Sequence, residues 1–124
     1  MKMEVSVKKL IALIIFTLLM MVTIAFSSTA LLSWEEVTTN TDGTLCTDLA
    51  GYRIYYGFDQ GGPYPYEVDV GDTLSASIDG EWEGQRVCFV ATAYDLSDNE
   101  SDYSNEVCKD FPQGAPQPPI LSLQ

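Results

Sequence analysis

Between residues 30 and 111 this chain is built from short runs in which apolar residues keep one phase at every second position, most of them ending in turn-forming residues. Ala30, Leu32 and Trp34 share one phase, and in Gly51–Gly57 (GYRIYYG) Tyr52, Ile54 and Tyr56 alternate with Arg53 and Tyr55. A period of two fits a strand with one buried face and cannot form the stripe of an amphipathic helix. The same reading predicts an edge strand over 66–70, whose charges interrupt it, and a strand over 73–78 with Leu74, Ala76 and Ile78 in phase. It predicts a long strand over 87–94, with Val87, Phe89, Ala91 and Ala93 inward, and a last strand over 103–111 that carries Val107. Polar or Gly-rich stretches at 38–44, 61–63, 79–80 and 95–102 separate these runs. Short alternating strands at regular spacing mean an all-β sandwich of two antiparallel sheets. The expected core is Leu32, Trp34, Tyr52, Ile54, Tyr56, Leu74, Ile78, Phe89, Ala91 and Val107.

Two segments flank that domain. Lys2, Lys8 and Lys9 precede an apolar run from Leu10 to Phe26 that ends in Ser27-Ser28-Thr29-Ala30, the basic, apolar, small-residue order of a secretory signal peptide. Residues 1–27 are therefore expected to form a signal helix, either cleaved or kept as an anchor. A cut after Ser27 is preferred to one after Ala30, which would fall inside a strand. Residues 28–111 form the domain, and the Pro-rich tail 112–124 cannot pair as a strand over its proline stretch, so it extends as a semi-rigid spacer ending in Ile120-Leu-Ser-Leu123.

Without residues 1–27 the chain has three basic residues (Arg53, Arg86, Lys109) against seventeen acidic ones, a net charge near −14. Such a surface repels nucleic acid and anionic membranes. With no histidine, neither a Ser-His-Asp triad nor a histidine metal site can be built, and the acidic residues sit singly on loops and outer strand faces. No catalytic residue, cofactor or enzymatic activity is expected. Asp95, Asp98, Asn99, Glu100 and Asp102 crowd one turn and could form a weak calcium site, though the spacing is not that of an EF-hand and the same residues serve as hairpin caps. Asn99-Glu100-Ser101 also matches a glycosylation acceptor. Of three cysteines, Cys88 and Cys108 fall on outward positions of the last two strands. A hairpin centred near residue 98 sets them opposite one another, which predicts a Cys88–Cys108 disulfide and leaves Cys46 free or used between chains. A disulfide implies an oxidising compartment: secreted, periplasmic or cell surface. Tyr55, Tyr64, Tyr66 and Tyr103 are candidates for an exposed aromatic ligand face.

LLSWEEVTTNTDGTLCTDLAGYRIYYG, followed by FVATAYDLSDNESDYSNEV, resembles the bacterial fibronectin type III repeat over most of residues 30–110. The resemblance implies an immunoglobulin-like sandwich that serves as a spacer, adhesion or binding module, with Trp34 inside against Tyr52, Ile54 and Phe89. Three departures stand out. Val87 occupies the place of the corner tyrosine. Glu81 replaces a leucine, with Trp82 beside it to cover the bottom of the core. The family's first strand is short or missing, because the apolar leader occupies its stretch. The function expected from this is binding or adhesion to an extracellular protein or polysaccharide. The alternatives are a subunit that self-associates by adding Ile120–Leu123 to a neighbour's open sheet edge, and a carbohydrate-binding accessory of a secreted enzyme.

Overall fold

The computed structural model describes residues 7–8 and 27–124; the leader expected over 1–27 lies, apart from Val7, Lys8 and Ser27, outside the described residues. Residues 27–124 hold six strands and no helix: β1 (Ser28–Ser33), β2 (Leu49–Gly57), β3 (Tyr66–Gly71), β4 (Ser75–Gly80), β5 (Arg86–Asp95) and β6 (Val107–Asp110). No helix among the described residues is long and apolar enough to cross a membrane. The strands form two antiparallel sheets, β1-β4 and β3-β2-β5-β6, a β-sandwich-like all-β fold in which the chain passes between sheets at β1–β2, β3–β4 and β4–β5.

Alternation sets which side chains meet. Ala30, Ile54, Ile78, Trp82, Val87, Phe89 and Phe111 form the buried core, and Leu32, Trp34, Tyr56, Val68, Val70, Ala76 and Ala91 pack around it half-buried. The Trp34 ring tilts on Tyr52 with centroids 5.4 Å apart, and the Tyr52 hydroxyl accepts the Val37 N–H at 3.0 Å. Trp82 closes the bottom of the core: it is buried, it meets Tyr56, Phe89 and Phe111 with centroids 5.1–5.7 Å away, and it lies so close to Gly80 that a Cβ there would collide with the indole. Glycine at the end of β4 is therefore what lets the indole fold back.

Four expectations need correction. Leu74 has the right parity but lies one residue before β4. Its carbonyl accepts the Trp34 N–H, and the side chain stays 49% exposed because the opposite sheet packs on Ala76 and Ile78 instead. Val107 pairs with Phe89 in register yet is 47% exposed, since nothing among the described residues covers it from the β1 side. The last strand begins at residue 107 and not at 103. In the preceding stretch the hydroxyls of Ser101 and Ser104 accept the N–H groups of Ala93 and Ala91, at 3.0 and 2.8 Å, where a strand would offer carbonyls. Their own N–H groups donate to the Ala93 and Ala91 carbonyls, so three residues on one side span two on the other and the ladder bulges. Finally, β5 is covered on both faces: Cys88, Val90 and Thr92, outward by parity, are as buried as Val87 and Phe89. A smaller shift places the first strand at 28–33, so that Trp34 lies just past its end and a cut after Ser27 leaves the strand whole.

Candidate functional site

What covers the outer side of β5 is the part of the molecule richest in polar chemistry. Parity on β2 turns Arg53 and Tyr55 outward, next to Thr92 and Val90 of β5 and Asp69 and Glu67 of β3. After β5, the turn at 95–99 returns the chain over this face. Asp98 adopts a left-handed φ of 61°, which a short polar side chain tolerates, and the Asp98 N–H donates to the Asp95 carbonyl at 3.0 Å. Glu100, Tyr103 and Glu106 then lie across the sheet.

Arg53 is the centre of this cover. Its guanidinium contacts Asp98 at 3.0 Å, Glu100 at 3.3 Å, Glu67 at 3.5 Å and Asp69 at 3.8 Å, and it stacks 4.0 Å over the Tyr94 ring. The hydrogen bond to Asp98 raises its pKa further, against the opposing effect of desolvation. Glu100 accepts from Tyr55 at 2.6 Å and from Thr92 at 2.5 Å. Burial pushes the Glu100 carboxyl up, but those hydroxyl donors and Arg53 together hold it below its usual range. The Tyr55 phenol is pushed up to about 12, by burial first and then by the Glu100 carboxylate. Asp69 is held low by the Gly71 N–H and by the Tyr94 hydroxyl.

A second group continues toward β6. Glu106 accepts from the Tyr64 hydroxyl and from the Gly61 N–H, which ties the 58–65 loop, with its cis Gly62–Pro63 peptide, onto the sheet. That carboxylate pushes the Tyr64 phenol up to about 12. Tyr103 stands between the groups, 5.3 Å from the Tyr55 ring and 5.4 Å from the Tyr64 ring, and is 53% exposed. Three of the four tyrosines marked in the sequence therefore converge. The fourth, Tyr66, stacks on Tyr56 at 5.0 Å and touches Phe58 in a separate group.

The Cys88–Cys108 disulfide is present at the β6 side of this face, joining residues directly opposite in the ladder with Cα atoms 4.0 Å apart. Cys46 is free and half-buried, its Sγ 3.9 Å from an Asp48 oxygen. Among the described residues, the one trio of cysteine and acid side chains close enough to share a cation is Cys88, Glu106 and Cys108, and its sulfurs are joined to each other.

The five oxygen donors of the 95–102 turn do not converge on one point. Asp95 accepts the Ser97 N–H, the Asn99 N–H and the Asn99 side-chain amide at 2.8–2.9 Å, and the Asn99 amide above all holds its pKa down. Asp98 and Glu100 face Arg53, and Asp102 is exposed. These are turn and cover interactions, the hairpin-capping arrangement that the sequence offered beside a weak calcium site. Sequence reasoning missed Arg53 and Glu106 as organisers. The signal was available in part, because β2 parity puts Arg53 on one face with Tyr55 and one of only three basic residues after residue 27 in so acidic a chain must attract carboxylates. Comparison of the chain with protein-family models, with curated proteins and with solved structures finds no match.

Proposed function

We propose that this chain is a non-catalytic, fibronectin type III-like module, displayed outside the cytoplasm, that binds neutral polysaccharide through the outer face of the β3-β2-β5-β6 sheet. The observation that carries the reading is the Tyr55–Tyr103–Tyr64 group. Tyr103 is exposed between two rings whose hydroxyls are already tied to Glu100 and Glu106. Rings held in this way present an apolar face with little ordering left to do on binding, which suits the flat apolar face of a sugar. The strongly acidic surface favours an uncharged ligand over an anionic one. A cross-strand disulfide agrees with an oxidising location. The two-sheet strand order, with its crossovers, supports the fibronectin-like reading together with the sequence resemblance.

The test is co-sedimentation of the purified protein with insoluble neutral polysaccharides. Retention is expected to fall for Tyr103→Ala and Tyr64→Ala and to be unchanged for Tyr66→Ala, whose ring belongs to the other group. Retention that ignores Tyr103, or none on any neutral glycan, removes the reading.

A further inference from the structure

The two-stranded sheet has an unpaired edge, and the gap beside that edge is open. β1 pairs with β4 on one side, and among the described residues no strand pairs with its other side. Two cavities of about 110 and 240 Å³ lie there and share Trp34. Leu32, Phe89 and Val107 help to wall the smaller one, and Val37 and Tyr52 the larger. The Trp34 Nε1 is shut off from solvent and has no acceptor among the described residues, and a buried N–H in that state normally has a partner missing.

The chain's own C-terminal tail is rooted at the other end of β1. Phe111 is buried in the core, its N–H donates to the Gln85 carbonyl, and its carbonyl accepts the Gly84 N–H. Gly114 donates to Glu83, which fixes residue 114 at the β4–β5 turn, the end of the sandwich where Ser28, opposite Gly80, begins β1. From Gly114, residues 115–123 reach roughly 28 Å at about 3.1 Å each. Trp34 is roughly 20 Å along the chain direction from Ser28 and packed sheets are about 10 Å apart, so a span of about 22 Å is needed. The tail is long enough, and its residues are ordered to suit. Pro116, Pro118 and Pro119 fall beside the first part of β1, where an edge strand tolerates proline, and Ile120–Leu123 fall at the gap.

Those four residues match what the gap lacks. Residues 112–124 carry no charged side chain in a strongly acidic chain, and Ile120, Leu121 and Leu123 are 97%, 96% and 102% exposed where the tail stands free. With a period of two, Leu121 and Leu123 point the same way and Ser122 the other. The geometry points to a strap that closes within one chain and stands open in this structure. On closing, Ile120–Leu123 run along the β1 edge, Leu121 and Leu123 fill the gap over Val107, and the strap's backbone brings carbonyls beside the Trp34 N–H. The short tether 115–119 holds these residues near the gap at an effective concentration on the order of millimolar, which a second copy's tail does not match at ordinary protein concentrations. Closure does not depend on the glycan-binding reading, whose residues occupy the opposite side of the β3-β2-β5-β6 sheet.

Hydrogen exchange and thermal unfolding of the purified protein test the strap. The amides of Ile120–Leu123 are expected to exchange about tenfold more slowly than in a free peptide of residues 115–124. Deleting residues 115–124, which leaves the Gly114 contact in place, should lower the melting temperature by about 5 °C. Leu121→Ser combined with Leu123→Ser should lower it as far, Gln117→Ser should leave it unchanged, and every form should stay monomeric by light scattering. Exchange of residues 120–123 at the free-peptide rate overturns the inference. So does a melting temperature indifferent to the deletion, which would assign the gap to residues preceding β1. A full chain that is multimeric, and becomes monomeric on deletion, would assign the tail to a neighbouring copy and overturn it too.

Discussion

The four-stranded and two-stranded sheets share one core but are finished differently on their outward sides. On β5, outward residues are as buried as inward ones, because a charge network around Arg53, a trio of tyrosines and a disulfide lie over them. On β1, Leu31 faces outward with 80% of its surface in solvent, and one backbone edge is unpaired among the described residues. The lesson is that parity gives a strand its two faces but not their environments. A face is sealed only when some other segment returns across it, as 100–106 and 58–65 do for β5.

The largest effect should come from the residue that joins the two halves. Trp82→Ala is expected to cost about 3–5 kcal/mol, the range for truncating a large buried aromatic, as measured by urea denaturation. A loss near 1 kcal/mol would mean that the bottom of the core repacks without it. Next is the staple on the sealed side. Replacing both Cys88 and Cys108 by alanine opens a loop of sequence separation 20 and should cost about 3 kcal/mol, while reduction of the wild type should lower the denaturation midpoint in the same way.

The ionisable cover makes a smaller, pH-dependent contribution, with opposite signs at the two extremes. Tyr55 and Tyr64 ionise in the folded protein only at about 12, above an ordinary value near 10. Their stabilisation is therefore complete below pH 10 and is lost as pH rises toward 12. Phenolate absorbance followed across that range should show Tyr55 and Tyr64 still protonated well above pH 10 and ionising only as the protein unfolds. Asp69, Asp95, Asp110 and Glu100 are held below their usual values, so their contribution is present above about pH 4 and disappears as pH falls through the depressed values. Arg53→Met should lower the melting temperature and should leave the protein's stability less sensitive to added salt than the wild type's. The smallest effect is expected on the open side. Leu31→Lys should change stability by no more than about 0.5 kcal/mol, whereas a substitution of comparable polarity at Val90, outward on β5 but buried, should destabilise clearly.

Much of the fold was legible because alternation is a local property. Tyr52, Ile54, Ile78 and Phe89 could be placed inside from their own neighbours in sequence, and Cys88 could be set opposite Cys108 from the hairpin between them. Where the reading failed, the deciding partner was remote. The exposure of Val107 depends on what flanks β1, and the loss of strand over 103–106 depends on serine hydroxyls that outcompete carbonyls for the N–H groups of Ala91 and Ala93. Of the site, the tyrosines were legible as residues but not as a group, since Tyr64 reaches Tyr103 only because Glu106 ties down the loop that carries it.

The sequence by itself determined the class of fold, the two faces of each strand, the acidity that limits partners and the cysteine pair, because each follows from spacing along the chain or from composition. Tertiary structure alone decided which outward faces are sealed, that Arg53 gathers four carboxylates, and that a gap beside Trp34 remains unfilled. Those outcomes are set by segments tens of residues apart meeting across a sheet, and no local pattern encodes such a meeting.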